Sequence, residues 1–149
     1  MGVIALITWI ITASGGLFLL AIWLIEYDRE FQTAAATRLP VPVLVSHVLL
    51  ALTGLVVWSV YLVADIARLA WLAGVMLLLV AMLGLVMAVR WIGVYRTFTT
   101  ARIRQPAGDA PGSRAVAPPE RNFPVPVVIG HGVFAVVTLL LVLLTALRA

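Results

Sequence analysis

Polar residues in this chain are confined to short stretches, and between them lie four long apolar runs: Val3 to Ile25, Val41 to Ala64, Leu69 to Val89 and Val125 to Leu147. None contains an Asp, Glu, Lys or Arg; the second holds His47 and the fourth His131. Each run reaches the ~20 residues that a helix needs to cross the hydrocarbon core of a bilayer. Four helices of this kind in so short a chain leave no polar face for water. The pattern therefore predicts an all-α bundle of four transmembrane helices.

Composition agrees. Of 149 residues, 64% are hydrophobic and 11% charged. A soluble domain runs roughly 45–50% apolar and about 25% charged, and a disordered chain is far less hydrophobic. The length implies a single integral membrane domain over 1–149. The absence of cysteine excludes disulfides, zinc ribbons, iron–sulfur clusters and a thiol nucleophile. The first run lacks a basic leader and an A-x-A cleavage pattern, so it is expected to remain as a helix. Met1-Gly2 does not form a myristoylation signal, because position 6 is Leu.

All ten basic residues are arginine, the signature of a GC-rich genome, and the net charge is +4. Arg29 and Arg38 follow the first run; Arg90, Arg96, Arg102, Arg104, Arg114 and Arg121 follow the third. Only Arg68 and Arg148 lie on the other side. The positive-inside rule then predicts a multi-pass protein of a bacterial cytoplasmic membrane, with both longer loops in the cytoplasm and both termini outside. This bias needs no nucleic-acid partner, being the one expected for topology; binding to anionic lipid head groups is a looser reading. Trp23, Tyr27, Trp91 and Tyr95 fall at the arginine-rich interface and read as an aromatic belt without assigned chemistry. Asp65 and Arg68 are placed to cap, or pair across, a tight turn between the second and third helices. Residues 97–123 are expected to form a flexible loop around the Pro/Gly/Ala-rich stretch Gln105 to Pro119. The stretch from Arg90 to Arg104 can instead continue the third helix along the membrane surface or toward a partner.

The most informative feature is an internal duplication. Residues 39–47 read Leu-Pro-Val-Pro-Val-Leu-Val-Ser-His, and residues 123–131 read Phe-Pro-Val-Pro-Val-Val-Ile-Gly-His, identical at five of nine positions. Upstream, Trp23-Leu-Ile-Glu-Tyr27 is echoed by Trp91-Ile-Gly-Val-Tyr95. The bundle is therefore expected to be two tandem helical hairpins related in parallel, about an axis along the membrane normal. Pro40 and Pro124 suit helix starts, which places His47 and His131 at equal depth, ~10 Å along their helices.

In an up-down bundle the second and fourth helices are diagonal, so the two imidazoles can face each other across the core. That arrangement suits one b-type haem with two axial histidines near the cytoplasmic face. Ser46, Gly130 and Gly132 flank the histidines and leave room for a macrocycle, with Gly84 at similar depth. Arg38 and Arg121, with Arg90 and Arg96, are placed for the propionates. The function expected is that of a membrane b-type cytochrome or haem-carrying subunit, exchanging electrons with quinone or a partner redox protein. The alternative is a cofactor-free accessory or assembly subunit of a larger membrane complex, its histidines fixing helix packing. Proton handling and quinone contact also remain open for the two histidines. Zinc is disfavoured, because two histidines are too few and Glu26, Asp28 and Glu30 read as a solvated interface.

On these residues the chain resembles the small four-helix haem b proteins of membranes, such as the cytochrome b561 group and the membrane anchors of succinate dehydrogenase. The resemblance is architectural, four spans and a histidine pair across helices. It implies electron transfer, but cytochrome b561 proteins hold two haems with four histidines and this chain can hold one. No Walker loop, G-x-G-x-x-G or H-E-x-x-H is present, and no acid or arginine lies mid-span to support an ion path. The small pairs Ala70/Gly74 and Gly84/Ala88 suit close helix contact within the bundle or in an oligomer.

Overall fold

A computed structural model describes residues 1–31, 37–104 and 118–149, and in them the chain is all helix and turn. Four α-helices follow one another: α1 (Gly2–Phe31), α2 (Val41–Ala64), α3 (Ala67–Arg104) and α4 (Val125–Ala146), with a 3-10 turn at Pro119–Asn122 before α4. All four are long and apolar enough to cross a membrane, and the chain is a multi-pass membrane protein.

Helix starts are set by proline. Pro40 and Pro124 adopt extended conformations just outside α2 and α4, and Pro42 and Pro126 fall in their first turns. There a missing N–H costs nothing, since the first N–H groups of a helix have no partner in the helix. The Pro40 and Pro124 carbonyls accept from Leu44 (3.0 Å) and Val128 (3.1 Å). The α2–α3 turn closes through Asp65 in the left-handed region (φ 51°), whose N–H donates to the Tyr61 carbonyl at 2.9 Å. The cap is thus made by the Asp65 backbone. α1 and α3 run further than the apolar runs alone indicate, because the amphipathic segments after them keep helical geometry. α3 contains no proline and remains helical to Arg104, so the expected loop over 97–123 begins later. Residues 105–117 of that linker lie outside the described residues, as do Arg114 and the side chains of Asp28, Arg29, Glu30, Phe98, Arg102 and Arg104.

The helices form a ring in which α2 packs on α3, α3 on α4, α4 on α1 and α1 on α2, leaving α2 and α4 diagonal. The most extensive faces are α2–α3 and α1–α4, which a parallel repeat exchanges with each other. Both termini and the α2–α3 turn share one end of the bundle. There Trp58 Nε1 donates to the Gly2 carbonyl (3.2 Å) and the Arg148 guanidinium reaches Met1 Sδ (3.3 Å). This terminal end is packed solid around Trp9, Trp58 and Tyr61, which fill the space left by Ala5, Ala70, Ala73 and Ala146. Dense interdigitation of this kind supplies the dispersion energy that holds helices together in lipid, where no hydrophobic drive acts between them.

Candidate functional site

The opposite, arginine-rich half of the bundle is hollow. A cavity of about 370 Å³ lies between all four helices, from Trp9 and Leu77 at mid-bundle to Trp23, Trp91, Leu39 and Phe123 under the loops. That size falls at the small end of ligand pockets, ~300–1,000 Å³. Its walls are apolar, and the groups able to do chemistry in it are His47 and His131.

The two imidazoles come from the diagonal helices, and their ring centroids stand 6.4 Å apart with the ring planes at 56°. His47 Nδ1 is 3.0 Å from the Val80 carbonyl on α3, and His131 Nδ1 is 2.9 Å from the Thr12 carbonyl on α1. A carbonyl can only accept, so each Nδ1 must carry the proton and donate. In the neutral ring the lone pair then resides on Nε2, and among the described residues neither Nε2 has a protein partner. A backbone carbonyl on Nδ1 with Nε2 left open is the usual second-sphere arrangement of a metal-binding histidine.

Each ring also lies against a glycine on the neighbouring helix. A Cβ at Gly16 would come within 2.9 Å of His131 Cε1, and one at Gly84 within 3.1 Å of His47 Cε1. Glycine at these two positions is what lets the rings settle on α1 and α3.

These contacts repeat with a fixed register. On α2 and α4 the shift is 131 − 47 = 84, and on α1 and α3 it is 91 − 23 = 68. Thr12 plus 68 is Val80, and Gly16 plus 68 is Gly84, so the carbonyl and the glycine recur together. Each α1 residue lining the cavity has its α3 counterpart in the lining, Ala13 with Ala81 and Leu17 with Leu85 among them. Val48 pairs in the same way with Gly132, and Ala51 with Ala135. The cavity therefore sits on the pseudo-twofold axis of the repeat, and the histidine pair straddles that axis.

The remaining expected site residues divide. Ser46 is exposed and Gly130 does not line the cavity; both lie on helix faces turned from it, since a neighbour in sequence is rotated by ~100° on a helix. Their place is taken by Gly132 in the lining and by Gly16 and Gly84 against the rings. Arg38, Arg90, Arg96 and Arg121 are exposed. Arg90 donates to the Arg38 carbonyl (3.3 Å), beside a surface groove lined by Thr37, Arg38, Leu39, Pro40, Arg90, Gly93 and Val94. Trp23 and Trp91 are more than interfacial anchors. Each pairs with a tyrosine one turn on, at centroid distances of 4.7 Å to Tyr27 and 5.5 Å to Tyr95, and both indoles roof the cavity.

Glu120 escaped sequence reasoning. It is fully buried, accepting from the Arg38 N–H (2.7 Å) and from Thr37 Oγ1 (3.0 Å). Thr37 Oγ1 in turn accepts from Trp23 Nε1 (3.2 Å). This network ties the segment entering α2 to the turn entering α4 and closes the roof. Its only sequence signal was an acid a few residues ahead of the second Pro-Val-Pro.

Two imidazole nitrogens alone do not hold a bare metal ion, and among the described residues no group of three or more His, Cys, Asp or Glu side chains converges. They do suit a metal that brings its other ligands with it. Two imidazoles facing one metal at about 2 Å, each ring centre ~1.1 Å behind its nitrogen, have centroids about 6.2 Å apart. The observed spacing is 6.4 Å. An apolar slot, two open Nε2 atoms and this separation fit a haem held between α2 and α4. The chain matches no known family, and neither a curated protein nor a solved structure is detectably similar to it.

Proposed function

We propose that the protein is a membrane b-type cytochrome, or the haem-carrying subunit of a larger redox complex, holding one haem between His47 and His131. The observation that carries this reading is the pair of imidazoles 6.4 Å apart in an apolar cavity, with each Nδ1 bonded to a helix carbonyl and each Nε2 open. Haem so bound supplies one-electron redox chemistry. The chain's own residues do the rest. The Val80 and Thr12 carbonyls fix the ring orientation and make Nε2 more basic. The leucine, valine and tryptophan side chains give the site apolar walls, which tune the potential of any metal held there. Arg38 and Arg121 lie outside the cavity lining, on the exposed segments entering α2 and α4, where guanidinium groups suit carboxylates.

The charge bias orients this end toward the cytoplasm, with both termini outside. Electrons then enter or leave on that side, exchanged with quinone or a partner redox protein. Transfer across the whole membrane needs a second centre, since the terminal end of the bundle is filled with side chains.

The test is an absorption spectrum of protein purified in detergent after expression with ample haem, oxidised and then dithionite-reduced, with haem stoichiometry from the pyridine haemochrome. A low-spin b-type spectrum at about one haem per chain is expected. A protein that stays colourless, and takes up no haem on titration, removes the cytochrome reading and leaves an accessory subunit whose histidines serve packing.

A further inference from the structure

Outside the cavity, the arginine-rich end of the bundle carries a second recess. It is a surface groove of about 370 Å³ between the segment entering α2 and the end of the α3 span, and Arg38 and Arg90 both line it. Leu39 and Val94 are buried in its floor. Gly93 opens it, since a Cβ there would meet nothing within 4 Å. Arg90 gives an N–H to the Arg38 carbonyl (3.3 Å), and a guanidinium has five to give. Among the described residues no acid lines the groove. Glu120, which accepts from the Arg38 N–H, is fully buried and outside the lining.

The internal repeat makes this groove one-sided. Shifts of 84 and 68 residues place Asn122 and Ile22 at the positions equivalent to Arg38 and Arg90. Topology asks for positive charge at this end of the bundle, but not for two arginines in one recess. Guanidinium groups suit phosphate oxygens, which they grip through two parallel N–H bonds. The surface below the groove distinguishes a lipid phosphate from a free one. Val86 and Val89 stand one turn deeper on the α3 face that carries Arg90 and Gly93. Both are exposed, on a helix long and apolar enough to cross a membrane. A phosphate at the arginines that is joined to a hydrocarbon chain can lay that chain over them.

We propose that this groove binds the head group of an anionic phospholipid, with its phosphodiester held by Arg38 and Arg90 and an acyl chain lying over Val86 and Val89. Two arginines favour a lipid of net negative charge over a zwitterionic one, whose ammonium they repel. The site needs no haem and stands apart from the cytochrome reading.

Native mass spectrometry of the full chain in detergent tests it, with titrations of phosphatidylglycerol, phosphatidylcholine and glycerol 3-phosphate. Wild type should bind its first phosphatidylglycerol about thirtyfold more tightly than phosphatidylcholine, the scale of two arginines near an anionic surface. Glycerol 3-phosphate should not displace it. Arg38→Gln/Arg90→Gln should lose most of that preference. Arg68→Gln/Arg96→Gln removes the same charge from exposed positions outside the groove and should keep it. Gly93→Leu fills the groove without altering charge and should also weaken phosphatidylglycerol binding. A preference that survives Arg38→Gln/Arg90→Gln, falls equally in Arg68→Gln/Arg96→Gln, or is untouched by Gly93→Leu overturns the assignment, as does a wild type without preference. Displacement by glycerol 3-phosphate marks a site for free anions and overturns it too.

Discussion

The two ends of this bundle are built from the same kinds of residue and put them to opposite use. At the terminal end Trp58 is fully buried, Trp9 is 2% exposed, and both belong to one buried cluster with Ala70 and Ala73. At the arginine-rich end the same four helices enclose about 370 Å³. The internal repeat follows this division. Around the cavity, Ala13, Gly16 and Leu17 recur as Ala81, Gly84 and Leu85. In the solid end Trp58 answers to Val142 and Tyr61 to Thr145. A packed core needs only complementary volumes, which unlike residues supply well. Around the two imidazoles the repeat keeps histidine and glycine on both sides, while farther along the walls unlike residues pair, Val48 with Gly132 among them. The hollow end is therefore where the repeat keeps the histidines and the glycines against them alike, and the solid end is where it packs unlike residues together.

That contrast can be broken by substitution. The largest effects should come from residues that belong wholly to one end. His47→Ala and His131→Ala should each abolish the b-type spectrum while leaving the apo-protein's melting temperature little changed. Trp58→Ala should do the reverse, costing about 3–5 kcal/mol through the cavity it opens while haem uptake by the surviving folded fraction stays normal. Absorption spectra and thermal unfolding in detergent read the two outcomes. If a histidine variant unfolds as readily as Trp58→Ala, the histidines are packing elements.

Smaller effects should sharpen the same contrast at glycines. A Cβ at Gly54 would meet the Trp9 ring at 3.1 and 3.2 Å, in the solid end. Gly54→Ala should therefore cost about 1–3 kcal/mol by overpacking, without a spectral change. Gly16→Ala places a Cβ 2.9 Å from His131 Cε1. That ring can give way into the hollow, so stability should barely move while the ligand field of a bound haem shifts. Electron paramagnetic resonance of the oxidised protein detects such a shift.

At the roof the smallest change expected is in haem affinity. Thr37→Val removes the acceptor of Trp23 Nε1 and one donor to Glu120, which should cost about 1–3 kcal/mol as the buried groups lose partners. Haem affinity should fall only modestly, since no ligand contact is lost. Unfolding and titration measured on one sample separate the two.

Much of this was legible in the sequence because a bilayer constrains so strongly. Four apolar runs could be little other than four helices, and α2 begins and ends where its run does, at Val41 and Ala64. The histidine pair and its equal depth followed from the Pro-Val-Pro repeat. What the sequence hid was rotation about the helix axes. Ser46 and Gly130 are nearest the histidines in the chain, yet they face away, while Gly16 and Gly84, on other helices, touch the rings. Gly16 was within reach, because extending the Trp23/Trp91 match back along both helices pairs it with Gly84. The roof network was harder to see. Glu120 looks like one more loop acid until the fold buries it against Thr37 and the Arg38 backbone.

The central claim is that His47 and His131 converge on one metal inside the hollow end. Electron paramagnetic resonance at low temperature on the oxidised, haem-supplemented protein tests it most directly. The account predicts a low-spin ferric signal characteristic of two imidazole ligands, lost in both single histidine variants. A high-spin signal, a low-spin signal that survives either His→Ala substitution, or a protein without haem would contradict it.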